Sequence, residues 1–202
     1  MNKRVICLTL TGTLAAIVLA GCAGSSPRTV YYSLYAPVRQ TAPTAPVDAT
    51  LVLSVGPVTL PDILKQARIA TGGADGRYRL AEYHRWSGEV DRDLARAVAE
   101  QVATHFGTEQ VAIFPWDQHL TSANRVLVDV LNMGGELGRE ATLAVRWTLV
   151  GPSGKSPVQT RRSDLREVPT DASYPAWVAA QQRNIARLGE EIAGELEAIA
   201  GR

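Results

Sequence analysis

Apolar residues along this chain change their spacing several times, and each change predicts an element. The aromatic and β-branched run "VYYSLY", Val30 to Tyr35, predicts a strand. "TLVLSVGPV", Thr50 to Val58, is apolar on both faces, the pattern of a central strand buried on both sides. Gly56-Pro57 is expected to end it, because proline cannot donate in a ladder. "LPDIL" predicts a turn or short helical piece, and "ARIAT", the glycine cluster at Gly72, Gly73 and Gly76, and "RYRLAEY" predict a long-looped hairpin. From Val90 the period becomes helical. Val90, Leu94, Val98, Val102 and Phe106 recur at every fourth position, while Asp91, Arg92, Arg96, Glu100 and Gln101 take the other positions. This predicts an amphipathic helix over about 88–106, starting near Ser87 and stopped by Gly107.

A short apolar run, "VAIF", follows that helix, so a crossover unit is expected, right-handed if Val111 to Phe114 lies parallel to Thr50 to Val58. The remainder is antiparallel in character. "RVLVDVLNM" predicts a strand, "GGELG" a turn, and "ATLAVRWTLV" a strand with Leu143, Val145, Trp147 and Leu149 on one face. "VQTRRSDLRE" is polar and charged, the kind of strand that protects a sheet edge. A long helix over 174–200 closes the pattern, its apolar stripe running through Val178, Ile185, Leu188, Ile192, Leu196 and Ile199. The expected fold is α/β: a single domain with a mixed β-sheet and the two main helices packed on it.

The N-terminus has to be set apart from that domain. Lys3 and Arg4 precede an apolar run from Val5 to Leu19 that falls short of the ~20 residues a membrane-spanning helix needs. Charge, a short apolar run and then small residues is the layout of a secretory signal peptide, here residues 1–21. Leu19-Ala20-Gly21 before Cys22 resembles the bacterial lipobox. That resemblance implies cleavage directly before Cys22, a diacylglycerol thioether on its sulfur and a palmitoyl group on its new amino terminus. Several acyl chains make attachment effectively permanent, where one is marginal. Ala23, not aspartate, follows the cysteine, which by analogy with bacterial sorting implies the periplasmic face of the outer membrane. Residues 22–30 would then be a lipid-anchored tether and 31–202 the domain, with "APVRQTAPTAPVDA" at 36–49 a Pro-rich extended loop.

Composition changes the picture by exclusion. Lys and Arg number 21 against 20 Asp and Glu, and the leader takes Lys3 and Arg4 with it, so the mature chain is close to neutral. No clustered basic footprint for nucleic acid is expected. Cys7 leaves with the leader and Cys22 is acylated, so the domain should hold together without a disulfide, on its apolar core alone.

The search for catalytic chemistry returns little. "GPSGKS" ends like a phosphate-binding loop, but Leu149 stands where the first glycine belongs and a strand, not a helix, is expected to follow. His84, His105 and His119 lack partners at metal-ligand spacing, and no metal or cofactor is expected. Glu89, Asp91 and Asp93 complement the dipole at the first helix's N-terminus. Glu190, Glu191, Glu195 and Glu197 are expected to form the solvated face of the last helix. Trp86, Trp116, Trp147 and Trp177 are expected to be core or interface anchors. No enzyme emerges.

Taken in order, "YYSL", "LSVGPVTLPDIL", "AEYHRWSGEVDRDLARAVAEQVA", "VAIFPW" and the valine-rich strand pair before a terminal helix resemble the ABC-type transport auxiliary lipoprotein family. "HRWSGEVDRDL" is the most specific piece. The resemblance implies a non-catalytic periplasmic α/β domain tethered to the outer membrane. Its partners would be the components of an ABC or MCE-domain system that moves lipids or other hydrophobic compounds between inner and outer membrane. It also implies a homo-oligomer, plausibly a ring, that receives a periplasm-spanning component. It transfers no catalytic residue, and Cys22 is the one functional position it marks. The competing expectations are an envelope-assembly lipoprotein that binds peptidoglycan or outer-membrane proteins, and a periplasmic hydrolase, which would need an acid, base or nucleophile constellation that the chain does not display.

Overall fold

Strand β7 (Ala141–Val150) shows most directly how the sequence pattern becomes structure. Ala141, Leu143, Val145, Trp147 and Leu149 are all buried, and the residues between them are not. The two faces of a pleated strand differ in this way when only one is covered. The computed structural model describes residues 27–35, 52–115, 124–152 and 157–200. Cys22 and the leader, the Pro-rich stretch 36–49, Trp116, His119 and most of "GPSGKS" lie outside the described residues.

The other elements are β1 (Val30–Tyr32), β2 (Leu53–Thr59), β3 (Arg68–Gly72), β4 (Tyr78–Trp86), β5 (Val111–Ile113), β6 (Asn124–Gly134) and β8 (Pro157–Glu167). Two long helices, α1 (Val90–Phe106) and α2 (Tyr174–Ala200), complete the set, with one 3-10 turn at Asp62–Lys65. The fold is α/β, a single domain. Its strands divide into a five-stranded sheet, β5-β2-β6-β7-β8, and a three-stranded sheet, β1-β4-β3. In the larger sheet β2 runs parallel to both β5 and β6, and β7 runs antiparallel to both β6 and β8. β5 and β2 are therefore the parallel ends of a crossover, as expected, and β8 is the charged edge.

Gly56-Pro57 does not end β2. Val55 pairs with Val126 and Val58 with Val128, so Gly56 and Pro57 together stand opposite the single residue Leu127. In that bulge the missing N–H of proline costs no ladder bond, and the strand continues to Thr59. "VYYSLY" is shortened for a related reason. Ser33 Oγ donates to Asp93 and accepts from the backbone of Tyr35, and these local bonds draw the chain out of the sheet after Tyr32.

Helix α1 lies over β2 and β5, and α2 lies over β7 and β8, the two helices packing against each other. Gly107 stops α1 in the left-handed conformation, φ 60°, its N–H reaching the carbonyls of the last turn. Val178, Ile185, Leu188, Ile192 and Leu196 of α2 are buried, each worth about 1.5–3 kcal/mol relative to exposure. Trp147 and Trp177 are fully buried in this core, and Trp86 lies 6.5 Å from Trp177 between ring centres.

The smaller sheet is attached at defined points. Gly72 N–H donates to Gly135 C=O at 2.6 Å and Gly135 N–H to Gly72 C=O at 2.8 Å, and Tyr78 Oη donates to Asn132 Oδ1 at 2.8 Å. Gly135 has φ 107°, and a methyl built on it would meet the backbone of Glu140 and Ala141, so only glycine lets the chain turn there.

Candidate functional site

The described chain begins at Pro27 and enters the domain through β1, so the region around β1 is where anything held by the N-terminus meets the fold. Its sequence is short and half exposed, yet many bonds converge on it. β1 runs parallel to β4 with Val30 opposite His84 and Tyr32 opposite Trp86. Tyr32 Oη lies 2.8 Å from His84 Nδ1, and the His84 ring stacks on Tyr174 at 4.1 Å, the first residue of α2. Burial, followed by the neighbouring Tyr174, pushes the Tyr32 hydroxyl pKa up, so it stays a neutral hydrogen-bonding group. Just past β1, Ser33 Oγ donates to Asp93 Oδ2 at 2.7 Å and the Leu34 N–H to the same oxygen at 3.3 Å. Gln182 Nε2 of α2 donates to the Ser33 carbonyl at 3.0 Å. One strand of three residues is thus fastened to β4, α1 and α2.

The remaining candidates have structural roles. Asp93 does more than complement a helix dipole, because it holds the Ser33 hydroxyl and the Leu34 amide; nothing in its sequence position distinguished it from Asp91. Glu89 pairs with Arg92 at 3.0 Å. His105 lies near the C-terminus of α1, its Nε2 3.2 Å from Glu197 of α2. The glutamates of α2 are not all a solvated face. Glu195 pairs with Arg161 of β8 at 2.5 Å, and Glu191 accepts from Ser163, which in turn accepts from Trp147 Nε1 at 3.0 Å. These pairs join α2 to the edge strand, which no helical period reveals. Trp86, Trp147 and Trp177 are core residues. A strand precedes and a strand follows "GPSGKS", β7 and β8, so no helix N-terminus receives a phosphate there.

Open clefts occur among the described residues. One of ≈ 660 Å³ is lined by Thr71, Tyr78, Arg79, Glu136 and Tyr174 among others, and one of ≈ 310 Å³ by Thr59, Leu60, Lys65, Glu89 and Asp91 among others. Neither lining contains a serine, cysteine or histidine. No group of three or more His, Cys, Asp or Glu side chains among the described residues could hold a metal ion. No helix among them is long and apolar enough to cross a membrane.

The family model for the ABC-type transport auxiliary lipoprotein component matches residues 32–193. The chain belongs to this family. The match begins at Tyr32, the last residue of β1, and runs into α2. The intermembrane transport lipoprotein PqiC of Escherichia coli is 28% identical over 138 residues, covering 68% of this chain and 71% of PqiC, and PqiC of Shigella flexneri matches equally. Among solved structures, an uncharacterised protein superposes with a TM-score of 0.66 and a protein from Xanthomonas campestris with 0.63. Each is 17% identical and covers 84% of this chain and 99% of its own, a likeness of fold. The family is described as a transport auxiliary component, and the described residues supply no positive sign of catalysis.

Proposed function

We propose that this family member is the lipid-anchored accessory component of an ABC/MCE-type intermembrane transport system. It is held at the periplasmic face of the outer membrane and serves the movement of lipids or other hydrophobic compounds between inner and outer membrane. The observation that carries this reading is the family match across residues 32–193, joined to the 28% identity with a lipoprotein named for intermembrane transport. In this reading residues 1–21 are a signal peptide, 22–30 a tether acylated on Cys22, and 31–202 the auxiliary domain. The role is mechanical. Cys22 fixes the domain to the membrane, and the Pro-rich loop at 36–49 and the sheet edges offer surface to an MCE-domain partner, with several copies of the domain assembling around it.

Two measurements test it. Cys22→Ala is expected to abolish labelling by radioactive or clickable fatty acid while leaving the domain folded; persistent labelling defeats the anchor. Crosslinking in intact cells, read by mass spectrometry, is expected to capture an MCE-domain protein. Repeated capture of peptidoglycan or β-barrel assembly components instead would replace this reading with that of an envelope-assembly lipoprotein.

A further inference from the structure

Arg68 of β3 and Arg85 of β4 stand directly opposite each other in the three-stranded sheet, and Tyr31 of β1 stands opposite Arg85 on its other side. Cross-strand partners share a face, so Tyr31, Arg85 and Arg68 form one row across all three strands. It is the outer face: Trp86 and Tyr32, one position along, point to the core side where Trp86 lies near Trp177. Tyr31 is 62% exposed and Val30 beside it 43%.

Like charges directly opposite one another destabilise a sheet. Elsewhere this fold neutralises such a pair. Arg146 and Arg162 also face each other on β7 and β8, but Arg146 lies 3.6 Å from Asp129 and Arg162 2.8 Å from Asp164. Arg68 and Arg85 have no carboxylate within ion-pair distance among the described residues. Arg68, exposed, reaches only the Gln66 side chain, at 3.5 Å, and Arg85, half-buried, has its Nε buried without a hydrogen-bond partner. The imbalance extends over the surrounding stretch. Residues 27–35 and 66–88 carry five arginines and two carboxylates in a chain whose total is close to neutral.

This face is also the part of the domain closest in sequence to Cys22. Eight residue steps separate Cys22 from Val30, a reach of at most about 30 Å for extended chain. A tyrosine beside arginines that lack a carboxylate partner, on a sheet face so near the proposed lipid anchor, has the chemistry of a membrane-interface contact: an amphipathic ring at headgroup depth and cations against phosphate.

We propose that the outer face of the three-stranded sheet, through Tyr31, Arg68 and Arg85, docks on the anionic phospholipid surface that holds the chain. This rests on Cys22 as the anchor. The domain then lies with its small sheet against the membrane and its five-stranded sheet and charged β8 edge turned away from it.

The test is amide hydrogen exchange of the processed full chain, purified from cells. It is bound either to vesicles of phosphatidylethanolamine with phosphatidylglycerol or to vesicles of phosphatidylcholine alone. Peptides covering 27–34 and 79–86 are expected to be protected on the anionic vesicles and less so on the neutral ones, while 161–167 of β8 is unchanged on both. Arg68→Glu, at an exposed position, is expected to reduce that protection about fivefold, and addition of Arg85→Glu to remove it. The thermal melt of each variant in solution checks that the domain is intact. If Arg85→Glu does not fold, Arg68→Glu and Tyr31→Ser decide. Equal protection on both vesicle types, or none while the chain floats with the vesicles, overturns the proposal. So does protection that appears only when a membrane-protein fraction is added. The mass of the same sample reads the acyl groups, so loss of the anchor and loss of the docking face are separate results.

Discussion

Glu167, at the end of β8, accepts from Arg183 Nε at 3.0 Å and from Arg187 Nη1 at 3.2 Å. The Arg183 hydrogen bond chiefly holds its carboxyl below the usual range, with Arg187 adding to it and partial burial opposing it. A carboxyl depressed on folding contributes stability that is complete above its unfolded pKa, about 4.3, and disappears as pH falls through the lower folded value. Glu167→Gln is therefore expected to cost about 1 kcal/mol at neutral pH, the scale of a partly exposed ion pair. The difference between the two proteins should shrink below the ordinary glutamate range and vanish in acid; urea melts across pH measure this. At this scale the sequence was readable where a side chain's neighbours are its own strand or helix. Trp147 and Leu143 could be assigned to the core from alternation alone. Asp93 and Glu195 could not be separated from the carboxylates around them, because what distinguishes each is a partner about 60 or 35 residues away in the chain, Ser33 or Arg161.

The two helices meet through a gap in one of them. A methyl built on Gly189 of α2 would overlap Cβ of Gln101 on α1, an atom too near the backbone to swing aside, whereas one built on Gly194 meets nothing within 4 Å. The same substitution should thus have opposite signs five residues apart. Gly194→Ala is expected to raise stability by about 0.5–1 kcal/mol through helix propensity. Gly189→Ala is expected to lower it by about 1–3 kcal/mol, because forcing α1 and α2 apart outweighs that gain. Denaturant midpoints at constant slope read both. Element identity was the most legible part of the fold: the spans of α1 and α2 and the edge position of β8 all follow from period and polarity. Pairing was less so. That β1 lies beside β4, and that β1, β4 and β3 leave the main sheet, depends on bonds such as Gly72 to Gly135 that no local pattern encodes. Pro57 inside β2 was unreadable for the same reason, since the bulge that admits it is a property of two strands.

Considered whole, the molecule separates its charges: the arginines of β8 are paired with carboxylates, and Arg68 of the three-stranded sheet is exposed without one. The proposed assembly of several copies around a partner gives a prediction at this scale. The processed protein in detergent is expected to run as a defined oligomer by light scattering, and a strict monomer at high concentration would count against assembly. The connection between membrane and core then passes through β1. A pull on an acylated Cys22, transmitted along that strand, is directed across the bonds to β4 rather than peeling them apart one at a time. The bonds from Asp93 and Gln182 sit immediately behind them. Resistance of this kind is set by how many bonds must fail together, not by how much surface is buried. Three residues therefore carry the mechanical connection between the N-terminal segment and the core, and under tension their bonds to β4 must fail together before the load reaches the helices.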